Sequence, residues 1–143
     1  MYAYALNNPL HFIDQKGLLW IYQQSTGDLG WENENTGQSV DYGNVGYSGN
    51  GAGLNNPTME AVPNIGPIPA GNYTIGPSGN NIGPVSMPLA PDNPPLPGNR
   101  GGFYIHGDNP QQNYTASEGC IVAPRNIRHI IATSGDNSLQ VVP

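Results

Sequence analysis

Proline and glycine interrupt this chain along most of its length, and few architectures accept that. The 20 glycines and 15 prolines make up almost a quarter of the 143 residues. Such a density is unusual for a helical protein, and no collagen-like period accompanies it. Tyr, Trp, Ile and Val are nevertheless spread through the chain in strand-like runs, unlike disordered sequences of similar bias. The combination predicts a mainly β fold with many turns and long ordered loops. The length suits one domain with at most a short appendage.

Charge narrows the partners. The formal net charge is −6, and Lys16, Arg100, Arg125 and Arg128 are the permanent cations. No basic surface for nucleic acid or anionic lipid is expected. No apolar run approaches the ~20 residues of a membrane span, so membrane insertion is not expected. The N-terminus lacks a charged segment followed by a continuous apolar one, which predicts synthesis without a secretory signal peptide. Cys120 is the single cysteine, so no intrachain disulfide can form. Neither His-Glu-x-x-His nor a paired Cys-x-x-Cys occurs, and neither a metal nor a cofactor is expected.

Residues 18–24 (LLWIYQQ), a turn at 25–28 and then Leu29, Gly30 and Trp31 read as a β-hairpin. Residues 43–57 are rich in Gly and Asn and read as a long ordered loop. Pro67 and Pro69 postpone any central strand to residues 72–75. A second Pro-rich stretch, 87–100, is expected on the surface. Phe103, Tyr104 and Ile105 form a short strand that delivers His106 at its end; Ile121 and Val122 form another, stopped by Pro124. Ile127, Ile130 and Ile131 have helical spacing within 125–133. After a turn at 134–138, residues 139–142 close the sheet.

The stretch from Gly102 to Pro124 carries the chemistry. A thiol is mostly neutral near pH 7 and becomes a strong nucleophile beside an imidazole that takes its proton. Cys120 and His106 each adjoin a glycine at the edge of a short apolar run, as a nucleophile and its base would. Gly119 permits a tight turn before Cys120 and frees backbone N–H groups for a developing oxyanion. Asp108 could orient His106, hold a metal or simply form the His-Gly-Asp-Asn turn, and the turn is the preferred reading. Ser117 lacks the Gly-x-Ser-x-Gly elbow of serine hydrolases. His11 and His129 have no comparable surroundings and read as structural.

Ile105-His106-Gly107 followed by Ser117-x-Gly119-Cys120-Ile121 resembles the signature of L,D-transpeptidase catalytic domains. Tyr47-Ser48-Gly49, Asn55-Asn56-Pro57 and Gly66-Pro67-Ile68-Pro69-x-Gly71-x-Tyr73 add a closer similarity to the branch used as type VI secretion effectors. The resemblance implies an L,D-transpeptidase-like β-sandwich or partly open barrel with one or two short helices. It also implies an antibacterial enzyme acting on the peptidoglycan stem peptide, by L,D-carboxypeptidase cleavage before the terminal D-alanine, by D-amino-acid exchange, or both.

On that resemblance Cys120 is the nucleophile, His106 the base and later acid, and the backbone N–H groups of Gly119 and Cys120 the oxyanion donors. The second nitrogen of His106 is then oriented by an acceptor such as a backbone carbonyl. Ser117, Gly107 and Asp108 shape the site. Val122 stands where classical members carry arginine, which shifts substrate-carboxylate recognition to Arg125 or Arg100, and Tyr47 is a candidate for lining the groove.

Residues 2–19 resemble the end of a rearrangement-hotspot (Rhs) core, through Tyr2, Tyr4, Asn7, Asn8, Pro9, Asp14, Gly17 and Leu18, with Gln15 in place of the usual proline. The expected organisation is a remnant of the Rhs core end or linker over 1–19 and a toxin domain over 20–143. The implied partners are the Rhs core, the type VI machinery and a cognate immunity protein, with action in the target-cell periplasm. A non-catalytic wall-binding or structural tip, and a cysteine peptidase or amidase cutting elsewhere in the stem, are the other readings.

Overall fold

The computed structural model describes residues 17–143. His11 and most of the Rhs-like segment lie outside them. The described chain forms a nine-stranded sheet with spatial order β3-β2-β1-β9-β5-β6-β7-β8-β4. The strands are β1 (Leu18–Gln23), β2 (Asp28–Asn33), β3 (Gln38–Asn44), β4 (Tyr47–Ser48), β5 (Gly71–Ile75), β6 (Met87–Pro91), β7 (Phe103–His106), β8 (Ile121–Val122) and β9 (Ser138–Val142). Among the described residues one α-helix, α1 (Arg125–Ser134), accompanies them.

The expected hairpin forms: β1 and β2 are antiparallel with Trp20 opposite Trp31. β1 begins at Leu18, two residues before the domain boundary expected at 20. The loop expected over 43–57 is broken by β4, which pairs antiparallel with β8 through Tyr47 opposite Val122 and Ser48 opposite Ile121. β9 does not close the sheet at an edge. It lies in the middle, parallel to β1 and antiparallel to β5.

The stretch 87–100 is not surface loop throughout, because β6 is an interior strand between β5 and β7. Its two prolines stand where a neighbour has already ended. The Pro88 carbonyl accepts from Gly76 N–H at 2.8 Å, one residue past the end of β5. Leu89 pairs with Phe103, the first residue of β7, so Pro91 lies beyond that strand. The missing N–H groups therefore break no ladder bond. Met87 and Leu89 alternate into the core.

Helix α1 starts after Pro124, whose backbone is extended, and ends at Gly135, whose φ of 78° lies in the left-handed region that glycine fills without strain. It buries Ile127, Arg128 and Ile131, while Ile130 lies at the exposed margin. Ile127 and Ile131 join Trp20, Tyr22, Tyr73, Met87, Ile105, Ile121 and Leu139 in one apolar core. Each large side chain withdrawn there contributes about 1.5–3 kcal/mol against chain entropy.

Candidate active site

His106 ends β7, and Cys120 immediately precedes the adjacent strand β8. β7 and β8 run parallel, with Ile105 beside Ile121 and His106 beside Val122. Ile105 and Ile121 face the core, so alternation turns His106 to the other face. Extending the register by one residue sets Cys120 beside Tyr104, and its Sγ accepts the Tyr104 N–H at 3.3 Å. By that register Cys120 and His106 stand diagonal to one another across the β7–β8 pair. Cys120 is half-buried and unbridged, and His106 is buried. Burial pushes the Cys120 thiol up from its ordinary value, Glu118 adds to that, and the Tyr104 N–H and Arg100 offset part of it. His106 Nδ1 lies 2.7 Å from the Gly107 carbonyl. A proton on Nδ1 satisfies that contact and leaves Nε2 as the basic nitrogen.

The turn before Cys120 is locked by Ser117. Its buried hydroxyl donates to the Cys120 carbonyl at 2.6 Å and accepts from Gly49 N–H at 2.9 Å and Gly119 N–H at 3.0 Å. The Gly119 N–H is therefore occupied, a correction to its expected role as oxyanion donor, and Cys120 N–H remains of that pair. Gly119 has φ 135°, and a Cβ there would stand 2.6 Å from the Phe103 ring. Only glycine fits.

The segment 47–50 supports this turn along its length. Tyr47 Oη accepts from Ala116 N–H at 3.1 Å, Ser48 Oγ donates to the Gly119 carbonyl at 3.0 Å, and Asn50 Nδ2 donates to the Ser117 carbonyl at 2.6 Å. Tyr47 Oη also donates to Asp108 Oδ1 at 2.7 Å. Asp108 thus bonds Tyr47 and the Asn109 N–H, while His106 takes the Gly107 carbonyl. Burial and Asp108 together push the Tyr47 phenol up to about 12.

Residues 43–142 match the Tlde1 domain. The chain belongs to the Tlde1 domain family. No curated protein matches the sequence. Two solved structures are similar in fold. The L,D-transpeptidase LdtMt1 in complex with imipenem superposes with a TM-score of 0.54 at 12% identity, covering 88% of this chain and 59% of that one. The helical cell shape determining protein Pgp2 from Campylobacter jejuni gives 0.57 at 17% identity, covering 92% of this chain and 48% of that one. The chain spans roughly half the length of these two proteins. The fold of this Tlde1 domain is the mainly β, L,D-transpeptidase-like sheet with one helix that the motifs implied.

The Tlde1 domain employs its arginines differently from expectation. Arg100 straps loops together: Nη1 donates to the carbonyls of Glu60 and Pro67 at 2.7 Å, and Nη2 to those of Gly66 at 3.0 Å and Glu118 at 2.8 Å. Its guanidinium also lies over Phe103, 5.2 Å from the ring centre. Four N–H groups are spent on carbonyls, so the substrate-carboxylate role expected of Arg100 is replaced by a structural one. Arg125 is exposed at the start of α1 and lines a cleft of about 610 Å³ with Tyr47, Asp108, Tyr114, Val122 and Arg128. Arg128 was not foreseen as part of any site. Its spacing from Ile127 and Ile131 places it on the buried side of α1, and that periodicity was the available signal.

Among the described residues no group of three or more His, Cys, Asp or Glu side chains could hold a metal ion, and no helix is long and apolar enough to cross a membrane. His129 is exposed on α1.

Proposed function

We propose that this Tlde1 domain is a cysteine acyl-transfer enzyme of the peptidoglycan stem peptide. Cys120 is the nucleophile and His106 the proton carrier. The observation that supports the reading is the register that sets Cys120 and His106 diagonal to one another at the β7–β8 pair of an L,D-transpeptidase-like sheet.

The chemistry follows from the surroundings. Burial favours a neutral resting thiol, so His106 Nε2 takes the proton as Sγ attacks the carbonyl between meso-diaminopimelate and the terminal D-alanine. Cys120 N–H faces the developing oxyanion. Collapse breaks the C–N bond, His106 returns the proton to the departing amine, and D-alanine leaves a thioester behind. Water then yields a tripeptide stem and free thiol, or a D-amino acid yields an exchanged stem. Either product lacks the donor for normal cross-linking.

The wider setting belongs to the same proposal. Residues 1–19 are the remnant of an Rhs core or linker and 20–143 the toxin domain; a type VI system delivers it to the target periplasm, and an immunity protein protects the producer. Mass spectrometry of tetrapeptide muropeptides, incubated with and without a D-amino acid, tests the core claim. Wild type should remove or replace the terminal D-alanine and Cys120→Ala should do neither. Equal behaviour of the two proteins would favour a wall-binding module instead.

A further inference from the structure

One of the side chains that fix the turn before Cys120 has a chemistry of its own. Asn50 is half-buried, and its Nδ2 donates to the Ser117 carbonyl at 2.6 Å and to the Asn64 carbonyl at 2.9 Å. Gly49 N–H donates to the Ser117 hydroxyl at 2.9 Å. Residues 49 and 50 thus grip Ser117 by its hydroxyl and by its carbonyl. The residue that follows is Gly51, and this Asn-Gly pair is the single one in the sequence. In such a pair the backbone nitrogen after asparagine reaches the side-chain carboxamide carbon unhindered, because glycine brings no Cβ.

The surroundings of the pair both permit that attack and delay it. Gly51 is exposed, a Cβ on it would meet nothing within 4 Å, and among the described residues its N–H has no hydrogen-bond partner. The nitrogen and the space around it are therefore free. Asn50, by contrast, is held: its backbone is extended at φ −149° and ψ 165°, its N–H donates to the Ile65 carbonyl at 2.9 Å, and both carboxamide hydrogen bonds engage the group that would have to turn toward Gly51. Ring closure must wait until this segment opens.

We infer that Asn50-Gly51 is a built-in inactivation site, inert in the folded domain and spent irreversibly when the segment opens. The Gly51 nitrogen loses its proton and bonds to Asn50 Cγ; the bond from Cγ to Nδ2 breaks, and Nδ2 leaves with a proton as ammonia. Water then opens the cyclic imide at either carbonyl, giving aspartate or isoaspartate. One water enters, one ammonia departs and one negative charge is gained. The new carboxylate has no N–H for the Ser117 and Asn64 carbonyls and repels both, and isoaspartate also lengthens the backbone by one carbon. Either product keeps the turn that carries the thiol from closing again.

Wild type, Gly51→Ala and Asn50→Asp test this. Wild type held in urea should gain one mass unit at Asn50, located by peptide mass spectrometry, well ahead of the same protein held folded, and faster as pH rises because the attacking nitrogen must be deprotonated. Gly51→Ala should gain it far more slowly and recover its site on refolding. Anion exchange then separates the modified wild type by its extra charge. That fraction, and Asn50→Asp made directly, should be alkylated at Cys120 by iodoacetamide about tenfold faster than unmodified protein, the scale of one hydrogen bond lost from the closed turn. A modified fraction that stays unfolded while the unmodified one refolds supports the inference equally. If other asparagines react in urea before Asn50, or if the modified fraction and Asn50→Asp are alkylated at the wild-type rate, the inference fails. Turnover of tetrapeptide should fall along with these changes, and that arm alone rests on the acyl-transfer reading. A wild type that leaves tetrapeptide untouched sinks that reading, while mass and alkylation still decide this one.

Discussion

Ser117 has no free valence: one hydroxyl joins Gly49, Gly119 and Cys120. Removing it leaves three buried backbone groups without that partner, so Ser117→Ala should cost on the order of 3 kcal/mol in chemical denaturation. Turnover should fall with it, because the same hydroxyl fixes the peptide that carries the thiol. Gly119→Ala meets both the Phe103 ring and the Arg100 guanidinium in a left-handed backbone, and it should yield little folded protein. The thiol itself makes a pH prediction. Its value is raised by burial, so the neutral form dominates up to a higher pH than for a free cysteine near ~8.5. Alkylation of the free enzyme by iodoacetamide should therefore lag that of an unstructured cysteine peptide at each pH and climb as pH rises. A fast, pH-independent rate near neutrality would instead mean a preformed thiolate.

At the level of elements, the site is a short parallel pair flanked by β6 on one side and β4 on the other, with loops gathered around it. Arg100 gathers the carbonyls of Glu60, Gly66, Pro67 and Glu118. Gln24 adds a second tie from the first hairpin, with Nε2 donating to Glu60 Oε1 at 2.9 Å and the Ile68 carbonyl at 2.8 Å. Arg100→Met should keep the sheet and loosen these loops, read as faster amide exchange over 60–67 and a stability loss of about 2–3 kcal/mol. Much of this level was legible beforehand. Apolar runs beside glycine announced β7 and β8, and the isoleucine spacing announced α1. β6 was not legible, because the cost of Pro88 and Pro91 depends on where β5 and β7 stop, which the local sequence does not contain. Nor did charge reveal that Arg100 and Arg128 would spend themselves on carbonyls, since side-chain partners distant in sequence decide that. The Cys120 and His106 placement needed only the strand register, whereas the Ser117 network needed β4, hidden within a Gly- and Asn-rich stretch.

For the molecule as a whole, β9 is the shared border between two groups of strands. On one side lies the β1-β2-β3 meander and on the other β5-β6-β7-β8-β4, and in the strand order the two groups meet at β9 alone. Ending the protein after Asn137 should therefore abolish cooperative unfolding by circular dichroism, although the truncation removes no residue of the proposed site. Replacing Val141, which pairs with both Tyr22 and Gly71, by Asp should approach the same result through a buried charge.

The position of β9 also orders events on the ribosome. The hairpin of β1 and β2 can form as soon as it emerges, yet the strand that must lie beside β1 is translated more than a hundred residues later. Until then Trp20 and Tyr22 have no neighbour on that edge, and a nascent chain of this kind presents apolar side chains and unpaired backbone until β9 emerges. Assembly of the sheet therefore waits for β9, and the interval before β9 is the one in which chaperones have something to hold.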